Sequence, residues 1–223
     1  MVKKEFRIVQ DKIEKIKQKR DAYANKIKAS PNLQIYRKFI HLILGAAILL
    51  LGYLIAIKYG LEIITIITFL FLIILLIIDL LRVEYNINFP LYTIFTKEKE
   101  KRNLHALTFA FLAAVIVINV YDFKIALTSL SMSIFSDGVA AIVGIKFGRH
   151  RFKNDKSLEG SLASLLVNLL IGYFLLKTWY IFLPMAVIAT LTELIVKHMD
   201  DNFIVPIFTG FIGQLILILA SIY

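Results

Sequence analysis

Six carboxylates stand inside or at the rim of stretches otherwise built from Ile, Leu, Val, Phe and Ala: Asp79, Asp137, Glu159, Glu193, Asp200 and Asp201. An ionisable side chain within an apolar span is costly and is by default a functional hypothesis. The densest stretch is SDGVAAIVGIKFGRHRFKNDKSLEGS, residues 136–161. It joins Asp137 to small residues at helical spacing (Ala140, Ala141, Gly144, Gly148), then to a basic connector, then to Lys156-Ser157-Leu158-Glu159-Gly160-Ser161. Such a set suits phosphoryl transfer, in which carboxylates hold Mg²⁺, cations neutralise phosphates and a base sits at the acceptor hydroxyl.

Asp137 is read as a metal ligand or the base, with Glu159, Glu193, Asp200 and Asp201 as further metal ligands. Lys156 directly precedes Ser157, Gly160 and Ser161 at a helix start, where free N–H groups suit a phosphate. No glycine pair precedes Lys156 at the spacing of a Walker loop. Arg37, Lys38 and His41 enter the first apolar span and are candidate phosphate ligands, although a snorkelling basic pair has the same pattern. Asn202 is a polar neighbour that can orient a phosphate. Glu159 also reads as a first-turn acid favoured by the helix dipole. Arg82, three residues after Asp79, is expected to pair with it. His105, His150 and His198 lack zinc-type spacing and read as interfacial residues, with Thr108 a weak candidate. The small residues Ala140, Ala141, Gly144 and Gly148 suit either close helix packing or the border of a lipid groove.

The elements that position these groups are transmembrane helices. The chain has 223 residues and is 59% hydrophobic, and its apolar runs are of the length that crosses a bilayer. Seven spans are expected, near 39–57, 61–81, 104–120, 125–145, 157–176, 178–197 and 203–222, giving an all-α integral membrane bundle. Residues 1–30 are read as a polar amphipathic helix on the cytoplasmic side, and 31–223 as the transmembrane catalytic domain. Of the 26 Lys and Arg residues, 23 fall in the N-terminal segment and alternate connections. The positive-inside rule then puts the N-terminus and the acids in the cytoplasm and the C-terminus outside. The formal charge of +10 is explained by that distribution, so nucleic acid is not an expected partner. A cysteine-free chain has no disulfide, thiolate metal site or cysteine nucleophile. Its composition suits a prokaryotic plasma membrane. A transport path should expose ionisable groups to both faces near mid-bilayer, whereas these gather at one face.

Four motifs in order resemble the polyprenol kinase family, which includes dolichol kinase, phytol kinase and the CTP-dependent diacylglycerol kinase. They are Arg37, Lys38, His41 and Gly45; Asp137, Ala140, Gly144 and Gly148; Lys156 to Ser161; and Asp200, Asp201, Asn202, Val205 and Pro206. The resemblance covers about residues 35–210. It implies a multi-span enzyme that phosphorylates a lipid alcohol such as dolichol, with CTP as donor and a divalent metal. The preference for CTP comes from the resemblance alone. Two rivals share the residues: a CTP-dependent cytidylyltransferase that makes a CDP-lipid, and a cation-coupled transporter. Acceptor chain length and a homodimeric state are left open by the sequence.

Overall fold

A computed structural model describes residues 31–85, 104–152, 156–196 and 199–222. The amphipathic segment expected over 1–30, Lys153 and His198 lie outside the described residues. Seven helices are seen among them: α1 (Pro31–Tyr59), α2 (Leu61–Glu84), α3 (Ala106–Val120), α4 (Phe123–Phe147), α5 (Leu158–Leu175), α6 (Trp179–Ile195) and α7 (Asp201–Ile222). All seven fall where the hydropathy predicts apolar segments.

Five of them, α1, α2, α4, α5 and α7, are long and apolar enough to cross a membrane. The other two have 15 and 17 residues. At ~1.5 Å per residue these reach only ~22–26 Å, short of a hydrocarbon layer of ~30 Å. The His105 ring accepts from the Leu107 N–H at the start of α3. By length and hydropathy, five of the seven expected spans are long enough to cross.

The joints follow from single residues. Pro31 opens α1, where its missing N–H costs nothing. One residue, Gly60, turns α1 into α2 at φ 93°, a left-handed conformation that favours glycine. Asp122 caps α4 by accepting from the Lys124 N–H at 2.9 Å. Ser157 caps α5 by accepting from the Gly160 N–H at 3.1 Å.

The central helix is α4, which packs against α1, α3, α5, α6 and α7. Half of its apolar window is buried, against 6% for α1. Its inward residues Ile125 and Met132 meet Ile181, Met185, Ala186, Ala189 and Val205 from α6 and α7 in the larger apolar core. The helices α1 and α2 turn most of their Ile, Leu and Phe side chains outward, as expected where the solvent is lipid. Close approach of α1 to α4 depends on Gly45, where a Cβ would stand 2.5 Å from Ile134 Cγ2.

Candidate functional site

The C-terminal half of α4 brings Asp137 to Lys38 on the second turn of α1. Lys38 Nζ donates to Asp137 Oδ2 at 2.5 Å. The pair is only 24% and 21% exposed, so solvent screens it weakly. A second pair lies beside it. Lys156, just before α5, donates to Asp201 Oδ2 at 2.9 Å and to the backbone carbonyl of Glu193. It thereby bridges the end of α6 and the start of α7.

The two pairs form one electrostatic centre. Lys38 lies within range of Asp137, Glu193 and Asp201, and Glu193 within range of Asp137, Lys156 and Asp201. Glu193 is 7% exposed, and its Oε2 accepts from Ser164 Oγ on α5 at 3.1 Å. The C-terminal half of α4 and the facing ends of α1, α5, α6 and α7 therefore meet around two lysines and three carboxylates. Arg37 and His41 stand on the same inner turns of α1 as Lys38, half-buried.

Asp79 organises a second polar cluster, between α2 and α3. It is 1% exposed. Its Oδ1 accepts from Arg82 at 2.9 Å. Its Oδ2 accepts from the His105 N–H at 2.9 Å and from Thr108 Oγ1 at 2.6 Å. The expected Asp79–Arg82 pair is observed. His105, expected at the interface, is instead 6% exposed, because its backbone is drawn to Asp79 at the start of α3. This cluster ties two helices together.

Other candidates are placed differently from expectation. Glu159 does not join Asp137. Its Oε1 lies 2.9 Å from His150 Nδ1 and accepts from the His150 N–H at 3.2 Å, so it braces the basic connector. That connector folds back on itself, with Arg151 bridged to Ser157 and the Phe152 N–H donating to the Lys156 carbonyl at 2.8 Å. Asp200 and Asn202 form a local turn in which Asp200 Oδ1 accepts from the backbone N–H and the side chain of Asn202 at 3.0 and 2.8 Å. Ser161 Oγ donates to the Ser157 carbonyl at 3.1 Å.

The small residues of α4 meet protein. A Cβ on Gly144 would lie 2.9 Å from Ser157 Oγ, one on Gly148 would lie 2.8 Å from Ser157 Cβ, and one on Gly160 would lie 2.7 Å from the Ala140 carbonyl oxygen. These glycines let the Lys156–Ser157 turn and the start of α5 sit directly on α4. The side of α4 carrying Ala140, Gly144 and Gly148, expected to border a lipid groove, is thus occupied by that turn, while Ala141 stays half-buried. A cleft of about 520 Å³ lined by Lys146, Phe147, Gly148, Arg149, His150 and Glu159 opens beside it.

Among the described residues, no three His, Asp or Glu side chains stand together as a cation cage. Sequence reasoning missed Ser164. Its signal is the four-residue spacing of Gly160, Ser164, Asn168 and Gly172, all of them buried along α5. No family model, curated protein or solved structure matches the chain.

Proposed function

We propose that this chain is an integral-membrane lipid kinase that transfers the γ-phosphoryl group of a nucleoside triphosphate, CTP by the resemblance described above, to the hydroxyl of a polyprenol such as dolichol. In this reading all seven helices span a prokaryotic plasma membrane, the two shorter ones in a locally thinned region. The charged end faces the cytoplasm, where the nucleotide is.

One observation carries the proposal: Lys38–Asp137 and Lys156–Asp201 converge with Glu193, drawing together side chains of α1, α4, α6 and α7. Lysines beside carboxylates at one depth supply the two kinds of group that a metal–triphosphate needs. A triphosphate is a stronger acceptor for an ammonium than a single carboxylate. On nucleotide binding, Lys38 and Lys156 turn to phosphate oxygens, and the oxygens of Asp137 and Asp201 become available. Mg²⁺ held by these carboxylates would neutralise charge on the β- and γ-phosphates. Arg37 and His41 extend the cationic rim from α1. Ser157 caps α5 and so fixes the direction in which Lys156 leaves it.

Product analysis tests the reading. The purified chain is incubated with Mg²⁺, a panel of lipid alcohols and the corresponding lipid monophosphates, and CTP labelled at either the α or the γ position. A kinase moves only the γ label into lipid. The α label in lipid together with free pyrophosphate would show a cytidylyltransferase instead, and label in neither lipid product would overturn both readings.

A further inference from the structure

The packing of α4 on α5 contains polar atoms that packing alone does not explain. The two helices run antiparallel. Gly160 meets the Ala140 carbonyl and Gly172 meets Met132 Cε. Ser136 lies one turn from both Ala140 and Met132, so it faces α5 at a level between Ser164 and Asn168, roughly 3 Å from each along the axis. Ser136 is 1% exposed and Ser164 and Asn168 are 0% exposed.

Ser164 Oγ is used by Glu193, and Asn168 Nδ2 donates to Thr190 Oγ1 at 3.2 Å. Asn168 Oδ1 and Ser136 Oγ have no hydrogen-bond partner among the described residues. Thr128 and Ser129 bond back to the carbonyls of Lys124 and Ala126, the ordinary refuge of a hydroxyl in a membrane helix, and Ser136 does not. Two orphaned groups from facing helices, at one level, each forfeit a hydrogen bond in a low-dielectric interior.

We infer that the α4–α5 seam is a binding site for one neutral hydroxyl, which donates to Asn168 Oδ1 and accepts from Ser136 Oγ. A water molecule and the alcohol end of a lipid share this chemistry. The site adjoins Asp137 in sequence and is joined through Ser164 and its neighbour Asn168 on α5 to Glu193, so an alcohol there would lie beside the charged centre. That last assignment rests on the kinase reading, whereas the hydroxyl site does not.

The test is a double-mutant cycle on the full chain in detergent, with Ser136→Ala, Asn168→Leu and their combination followed by thermal unfolding. If Asn168→Leu does not fold, Asn168→Ala replaces it. A bridged hydroxyl couples the two positions, so the double variant is more stable than the summed single losses by about 2–4 °C. Additive shifts, with Ser136→Ala unchanged or stabilised, would mean a dry seam and overturn the inference. Farnesol and its methyl ether, added in parallel, separate the two sources. An alcohol site gives a rise in Tm with farnesol only, lost in Ser136→Ala. A water site gives coupling with no response to either. Coupling without phosphoryl transfer to any lipid would leave the site standing and remove the kinase reading.

Discussion

Replacing Gly160 by alanine probes the contact that holds Lys156 in place. A Cβ at this position would lie 2.7 Å from the Ala140 carbonyl oxygen and 3.0 Å from Ser157 Oγ. The first neighbour is backbone in the middle of α4 and cannot rotate away. Relief to ordinary contact requires α4 and α5 to part by about 0.7 Å, an overpacking of the kind that costs about 1–3 kcal/mol. The intrinsic preference of alanine for helix returns at most about 1 kcal/mol. The net loss is about 1–2 kcal/mol, which for a chain of this size lowers Tm by about 2–8 °C. Two other glycines calibrate the reasoning. At Gly138 the new Cβ meets the Leu42 side chain, its Cδ1 tip at 2.8 Å and its Cβ and Cγ at 3.5 Å, and at Gly52 only Ile64 Cδ1, at 3.6 Å. Gly138→Ala should lose less than Gly160→Ala, and Gly52→Ala should hold or gain stability. Thermal unfolding of the three variants in one detergent decides it. A Gly160→Ala chain as stable as the wild type would refute the close α4–α5 contact and the placement of Lys156 built on it.

Three further outcomes follow from the ion pairs. Asp79→Asn takes the charge from a fully buried pair and sets an amide against the His105 N–H, so it should destabilise by about 3–5 kcal/mol; the shift in the unfolding transition checks this. Asp137→Asn leaves Lys38 without its carboxylate while conserving shape, and is expected to cut lipid phosphorylation at least ~100-fold in a γ-label transfer assay, with a Tm drop smaller than that of Asp79→Asn. Glu159→Gln should retain that activity within a few-fold, because Glu159 contacts His150 rather than Asp137 or Asp201; a loss as large as that of Asp137→Asn would show that the connector closes over the site.

Much of the fold was legible because a lipid-facing helix needs an unbroken run of apolar residues, and the seven runs of this sequence return as seven helices. The gathering of Asp137, Glu193 and Asp201 was legible for a related reason. Glu193 and Asp201 sit near one end of their runs and Asp137 in the second half of its own, and alternating directions bring these parts together. Pairing was not legible. Nothing in the residue types tells Lys38 to meet Asp137, or Lys156 to meet Asp201, since those contacts depend on helix rotation. Glu159 stands in the first turn of α5, one of its two readings, and its pairing with His150 was not legible because it depends on the connector doubling back. Gly144 and Gly148 read equally well as a lipid-facing stripe or a packing surface, and only the position of Ser157 distinguishes the two. Ser164 and Asn168 were overlooked since a lone serine or asparagine within an apolar run resembles ordinary helix packing.

The most direct test of the central claim is calorimetric titration of the purified full chain with CTP in the presence and absence of Mg²⁺, repeated on Asp137→Asn and Lys156→Gln. The account predicts binding that needs Mg²⁺ and weakens at least ~10-fold in each variant, the loss expected for one charge-assisted contact, with Glu159→Gln within about two-fold of the wild type. Mg²⁺-independent binding, or affinity unchanged in both variants, would place the nucleotide elsewhere and contradict it.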